Sequence, residues 1–162
     1  MSASVMMAVS VGMATLLRAD TTLTALATGG IKTVEGPARN METGDDRPYI
    51  VVAASAVTDL EINQSGDGYK VTVEIALFDV AEYTLDRIDP MWERVYGDAS
   101  SQSDLNPTYG LHRKTLTLPT AMANGWVAAP KILCEEWQAV QLEDTRFSIR
   151  ATFTVHVSRR PA

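Results

Sequence analysis

The sequence is poor in the residues that most often build reactive centres. It contains one cysteine, Cys134, and two histidines, His112 and His156. A single cysteine excludes an internal disulfide and a zinc site built from several cysteines, and neither histidine has a histidine or cysteine at metal-ligand spacing. We therefore expect an unreactive, buried thiol, two structural histidines, and no metal ion or other cofactor.

The chain also lacks an excess of positive charge. It has 14 Lys and Arg against 20 Asp and Glu, which gives a formal net charge of −6. The basic residues are scattered, with adjacent pairs only at residues 113–114 and 159–160. This balance disfavours a broad electrostatic attraction to nucleic acid, so sequence-specific binding to nucleic acid is not expected.

Long hydrophobic runs are missing as well. The most apolar stretch, residues 5–17, is too short to span a membrane and is interrupted by Ser10 and Gly12. No Lys or Arg precedes it, which argues against a signal peptide. Its large apolar residues fall at helical spacing: Val5, Met6, Val9, Met13, Leu16 and Leu17. We expect an amphipathic helix over residues 4–19 that docks on the domain, and no membrane partner.

The chain does contain clear strand patterns. Residues 146–158 alternate between apolar and polar side chains, and residues 71–79 do the same. This is typical of half-buried antiparallel strands. Residues 49–62 are apolar on both faces in their first half, which favours a central strand, and the turn-rich residues 63–68 connect them to the next strand as a hairpin. Further strands are predicted at residues 31–34, 111–118 and 131–142.

Two more helical patterns complete the prediction. Asp20 resembles an N-cap for a short helix over residues 21–28, ended by two glycines. Residues 80–99 have helical spacing, with a kink at Pro90 where Asp89-Pro90 fits a second helix start. The expected fold is a single α+β domain, residues 1–162, with a mostly antiparallel sheet and helices packed on one face.

Polar groups elsewhere do not form a catalytic pattern. No nucleophile motif surrounds a serine, and no glycine loop precedes a helix as phosphate binding requires. Glu135 and Glu136 are adjacent on a predicted strand, so we expect them to point to opposite faces and not to share a proton or a metal. The three tryptophans, at positions 92, 126 and 137, are expected to pack in the core or at an interface. The sequence does not predict an enzyme.

Several segments together resemble a known family. These are residues 13–27 (MATLLRADTTLTALA), 47–52 (RPYIVV), 69–79 (YKVTVEIALFD) with the helix after it, and 144–157 (DTRFSIRATFTVHV). In this order they resemble the tail terminator (tail completion) proteins of long-tailed bacteriophages. The resemblance implies a virion protein of the tail and neck, assembled in the host cytoplasm. It implies a six-membered ring that caps the tail tube protein, stops tube growth and meets a head-side connector or stopper protein, with DNA passing through the ring lumen.

Two long polar loops are candidates for the contacts that a ring needs. Residues 39–47 and 98–109 are charged or polar and long for structureless connections. We expect one to face the tube and the other to face the connector or a neighbouring copy. The candidate interface residues are Arg39, Glu42, Asp45, Asp46, Arg47, Asp98, Asp104 and Tyr109.

Three alternatives remain open at this stage. One is a head-completion, stopper or adaptor protein of the neck, which ring size would distinguish. Another is a small-molecule-binding domain, which requires a concave pocket with convergent polar groups. The last is a soluble bacterial domain unrelated to phage.

Overall fold

A computed structural model describes residues 3–34, 47–60, 68–82, 88–97, 108–119, 126–141 and 146–159. These residues form three helices and five strands. In chain order the elements are α1 (Ala3–Arg18), α2 (Thr21–Leu26), β1 (Ile31–Val34), β2 (Tyr49–Leu60), β3 (Gly68–Glu82), α3 (Ile88–Tyr96), β4 (Trp126–Gln141) and β5 (Arg146–Arg159).

The five strands form one sheet in the order β1-β2-β3-β5-β4. The short β1 runs parallel to β2, and the other three pairings are antiparallel. This confirms the predicted α+β domain and places β2 inside the sheet, as its two apolar faces indicated. The outer strands of this five-stranded sheet are therefore β1 and β4, which differ in length and in side chains.

One face of the sheet carries the helices and the main core. On α1 the predicted apolar stripe faces inward: Val5, Val9, Met13 and Leu17 are buried, and Met6 and Leu16 pack against the same core. The facing strand positions are the aliphatic and aromatic residues predicted for one side of β3 and β5: Val71, Val73, Ile75, Leu77, Ile149, Ala151, Phe153, Val155 and Val157. The apolar face of α1 and the apolar faces of β3 and β5 therefore pack against one another in the same core, as their helical and strand periodicities predict.

The opposite face has a smaller buried cluster of its own. It consists of Tyr49, Val51, Ala53, Ala76 and Phe78, and none of its members belongs to a helix. The rings of Tyr49 and Phe78 stack at a centroid distance of 4.8 Å. The cluster explains why the beginning of β2 is apolar on both sides.

Three predicted segments differ from the structure. The strand predicted over residues 131–142 begins earlier, at Trp126. Residues 80–82 continue β3 instead of starting a helix, and α3 begins at Ile88, so Pro90 lies in its first turn. Residues 111–118 do not form a strand. Arg113 has a φ of 67°, which interrupts an extended backbone. Its N–H still donates to the Ile132 carbonyl, and the Ile132 N–H donates to the Lys114 carbonyl.

Candidate assembly surfaces

His112 holds two segments of the chain together. Its Nδ1 accepts a hydrogen bond from the Cys134 backbone N–H at 3.0 Å, and its ring stacks on Tyr96. Burial, with the nearby Arg113 charge, lowers the pKa of His112. The Cys134 thiol is half-buried, and burial raises its pKa to about 11. An acceptor nitrogen and a protonated thiol suit packing better than reaction, although the thiol was predicted to be buried and is only half-buried.

The base of the loop after α3 is closed by two glycines. Gly97 and Gly110 both have positive φ, 117° and 87°. Their backbones touch, since a Cβ on Gly110 would lie 2.1 Å from the Cα of Gly97. Next to this contact, the backbone N–H of Leu111 donates a hydrogen bond to the carbonyl of Val95. The two ends of the predicted contact loop 98–109 are thereby fixed on the C-terminus of α3.

An ion pair attaches this loop base to α2. Arg94 on α3 donates two hydrogen bonds, each 2.9 Å long, to the two carboxylate oxygens of Asp20. Its guanidinium also lies 3.6 Å from the ring centroid of Tyr109. Asp20 is the N-cap of α2, as predicted, and accepts from the backbone N–H groups of Thr22 and Leu23. Burial alone would raise the pKa of Asp20, but the hydrogen bonds from Arg94 and the backbone outweigh burial, so this pKa is lowered.

The other predicted contact loop also has its base near α2. Gly29, just after α2, donates to the carbonyl of Pro48 at 2.7 Å, and a Cβ on Gly29 would lie 2.9 Å from that carbonyl oxygen. Asp20, at the start of α2, therefore contacts the base of the loop 98–109 through Arg94. Gly29, just after α2, contacts the base of the loop 39–47. A six-residue helix is about 9 Å long, so both loop bases lie near α2.

The predicted interface residues fall partly within the described chain. Arg47 is exposed at the base of the first loop, and Tyr109 lies half-buried on Arg94 at the base of the second. The remaining candidates lie outside the described residues: Arg39, Glu42, Asp45, Asp46, Asp98 and Asp104.

A β-bulge in β4 overturns the expectation for Glu135 and Glu136. The pairing with β5 shifts between Cys134 and Glu136, so two residues oppose one. Both glutamates consequently lie on the face away from the helices. Glu135 forms an ion pair with Lys70 at 2.9 Å and accepts a hydrogen bond from Thr154. These two partners lower the pKa of Glu135.

A polar groove of about 300 Å³ lies on this face, beside the β4 edge. The lining residues are Glu74, Glu136, Trp137, Gln138, Arg150, Ala151 and Thr152. Glu74, Thr152 and Glu136 align in register across β3, β5 and β4. The Nε of Arg150 is buried and has no hydrogen-bond partner among the described residues. The groove has more negative than positive side chains and would suit a basic group.

The β4 edge also exposes two large hydrophobic side chains. Leu133 is 47% exposed and Trp137 is 51% exposed. The Trp137 ring contacts Trp92 of α3 at a centroid distance of 5.1 Å, while Trp92 is itself buried against the core. Trp92 was correctly expected to pack, and Trp137 extends that packing to the edge. Sequence reasoning missed Leu133 as a surface residue because the pairing with β5 shifts on both sides of it, between Ala129 and Leu133 and between Cys134 and Glu136, and this depends on register with another strand.

Two further findings concern membranes and metal ions, within the part of the chain that the structure describes. In that part of the chain, no helix is long and apolar enough to cross a membrane. The same residues contain no group of three or more His, Cys, Asp or Glu side chains arranged to hold a metal ion.

Comparisons with known proteins identify the fold. No family model matches the sequence, and no curated protein matches it. Among solved structures, a chain in the virion of a native gene transfer agent (GTA) particle superimposes with a TM-score of 0.66 at 19% sequence identity. The alignment covers 97% of this chain and 99% of that chain. At this identity the comparison shows a shared fold over the whole length.

Proposed function

We propose that this chain is a structural virion protein that caps the tail tube of a phage-like particle as a ring of six copies. The ring ends tube growth and offers a surface to the head-side connector or stopper protein, and DNA passes through its lumen. The protein is assembled in the host cytoplasm and belongs to the tail and neck of the virion. The observation that carries this proposal is the full-length fold likeness to a chain of a GTA virion.

The arrangement of surfaces supports an assembly role. The bases of both predicted contact loops are anchored at the two ends of α2, so loop residues on one rigid support can meet another protein together. The outer strand β4 exposes Leu133 and Trp137, which is typical of a surface that a partner covers. The ordered segments that resemble tail terminators overlap α1, α2, β2, β3, α3 and β5.

A tube-growth experiment tests the proposed function. Purified tail tube protein is allowed to polymerise with and without this chain, and tube lengths are measured by electron microscopy. We expect preformed tubes that have bound the chain to stop elongating at that end when fresh tube protein is added. Continued growth at the same rate from both ends would contradict the capping role.

The same fold likeness fits an adaptor, head-completion or stopper protein of the neck. Such a protein would bind the head-side connector and leave tube growth unchanged. The polar groove beside β4 favours a second, weaker candidate, a small-molecule-binding domain. That function would appear as ligand binding by a protein that ignores both tube and connector.

A further inference from the structure

We propose that the polar groove beside β4 binds an arginine side chain of a partner protein. The groove lies on the face of the sheet away from the helices and is lined by residues of β3, β5 and β4. The site deepens the proposed function and rests on it in one respect only, that the chain assembles with another protein of the particle. It does not depend on the number of copies or on the capping of a tube.

The first support is an unbalanced negative charge in the groove. Glu74 and Glu136 both line it, and neither forms an ion pair with any residue that the structure describes. The remaining charged group in the lining is Arg150, so the groove has one carboxylate more than it has cations. Glu135, next to Glu136 along β4, is already neutralised by its ion pair with Lys70. One added cation would therefore balance the charge of the groove.

The second support is the position of the two unpaired carboxylates. Glu74 on β3 and Glu136 on β4 are both in register with Thr152, which lies between them on β5. Neighbouring strands are about 4.8 Å apart, so the Cα atoms of the two glutamates lie roughly 10 Å from each other. A cation above Thr152 is therefore within reach of both side chains. Arg150 lies two residues further along β5 on the same face, where its charge repels a second cation.

The third support is an exposed hydrophobic side chain beside the groove. Leu133 is 47% exposed and is in register with Thr154, which lies two residues from Thr152 on the same face of β5. A long basic side chain has an apolar stem and a charged head group, and each part packs best against a surface of its own kind. The stem of an incoming side chain would cover Leu133, and its head group would reach Glu74 and Glu136.

The polar groups of the groove favour arginine over lysine. A guanidinium carries five N–H donors in one plane, so one head group can donate to carboxylates on two sides and to an uncharged acceptor between them. The Thr152 hydroxyl and the Gln138 side-chain carbonyl are uncharged acceptors in the lining. A lysine ammonium has three donors at one point and would satisfy fewer of these groups. The groove volume of about 300 Å³ is at the lower end of the range for small-molecule pockets, which suits a single side chain.

The charge of the whole chain favours a different protein as the partner over a second copy. With 14 Lys and Arg against 20 Asp and Glu, two copies repel each other overall. The basic residues are scattered, with adjacent pairs only at residues 113–114 and 159–160. A groove with an extra negative charge on an acidic protein selects a partner whose contact surface is basic.

A peptide titration tests the site. The full chain, isotope-labelled, is titrated with an acetylated and amidated Ala-Arg-Ala peptide, and the backbone amide signals of residues 136–138 and 150–152 are followed by NMR. We expect saturable shifts with a Kd on the order of millimolar. The citrulline peptide, which has nearly the same shape and no charge, should produce no saturable shift, and the lysine peptide should bind at least about threefold more weakly. Equal binding of the arginine and citrulline peptides, or no binding of either, would overturn the proposal.

Two substitutions remove the carboxylates with little change of shape. Glu74→Gln and Glu136→Gln should each weaken binding of the arginine peptide by about tenfold, since a hydrogen bond between charged groups is lost. Glu93→Gln, on the exposed side of α3, is the matched control and should bind the peptide as the original protein does. Unchanged affinity in both groove variants would contradict the proposed contact.

The same measurements separate this site from the proposed function. Shifts of the groove signals when the protein is concentrated without peptide would show that a second copy occupies the groove, and would overturn the proposal. If the peptide does not bind and the protein still caps tubes, the proposed function stands without this site. If the peptide binds and tubes are not capped, the site stands and the capping role fails.

Discussion

His112 shows how a single uncharged side chain can join two segments of this fold. Its unprotonated Nδ1 accepts a hydrogen bond from the Cys134 backbone, and its ring packs on Tyr96. Protonation would place a hydrogen on the accepting nitrogen and remove that bond. The fold therefore favours the neutral form, which agrees with the lowered pKa.

We predict that the protein loses stability in mild acid because His112 becomes protonated there. Its folded-state pKa lies below the ordinary value of 6.5, so its contribution is complete above pH 6.5 and is lost as the pH falls through the lower folded value. His112→Ala should lose about 1 kcal/mol at pH 7.5 from the missing acceptor, and less at pH 5. Urea unfolding at a series of pH values measures this.

His112→Asn is the matched variant, because it keeps an acceptor in a similar position without a group that titrates. It should be more stable than His112→Ala at pH 7.5 and should show a shallower loss of stability between pH 7 and 5 than the original protein. Identical pH profiles for His112→Asn and the original protein would refute this account of the histidine.

Single-residue roles were predictable from the sequence where they depend on near neighbours. Asp20 was predicted as an N-cap because it directly precedes a short helical pattern, and the structure confirms its bonds to Thr22 and Leu23. Its pairing with Arg94 joins positions 74 residues apart, and a local pattern contains no sign of it. The same holds for Tyr109, whose contact with that arginine depends on how the loop returns to α3.

Among the elements, the connection between α3 and the segment after it depends on two glycines. The backbones of Gly97 and Gly110 are in contact, and both have positive φ. This contact fixes the ends of a loop that we propose for subunit or partner contacts. Side chains at either position would separate the two ends.

We predict that Gly110→Ala destabilises the protein by at least about 2 kcal/mol, because the new Cβ would meet the backbone of Gly97 and because a positive φ is unfavourable for alanine. Gly30→Ala is the control. Gly30 also has a positive φ, 99°, but a Cβ there would meet no atom within 4 Å, so about 1 kcal/mol is expected. Chemical denaturation of both variants measures the difference, and equal losses would show that the close approach is unimportant.

The elements that sequence patterns predicted well are those with a regular period. The helical stripe of α1 and the alternation in β3 and β5 follow directly from the geometry of a helix and a strand against one core. The patterns failed where pairing partners decide the conformation. The bulge at Cys134 and Glu136 depends on register with β5, and residues 111–118 alternate like a strand but bend at Arg113.

For the whole molecule, the loop over residues 39–47 is proposed to contact a partner and not to hold the fold. We predict that replacing Asp45, Asp46 and Arg47 together with alanine leaves the unfolding midpoint unchanged. The fraction of tubes that the protein caps should fall by about tenfold, as expected when a charged contact with a partner is lost. Circular dichroism during heating and electron microscopy of tubes provide the two readouts.

Glu93→Ala on the exposed side of α3 is the corresponding control, and it should cap tubes normally. Normal capping by the triple variant would show that the charged residues of this loop are not needed for the contact with the tube. A lower unfolding midpoint would instead show that these residues stabilise the domain.

The order of the elements predicted the overall architecture because each element fills one layer of the same α+β domain. Assembly could not be predicted in the same way. A ring depends on contacts between copies, and the residues that face a neighbour obey no internal periodicity. Leu133 and Trp137 became candidates only when the structure showed both side chains exposed on the outer strand β4.

The central claim is that six copies of this chain close the end of a tail tube. Native mass spectrometry of the protein, free and released from tail tubes, tests it most directly. We predict that the tube-bound species contains six copies, even where the free protein is a monomer. A twelvefold species bound to the head-side connector, or a monomer that does not bind tubes, would contradict the claim.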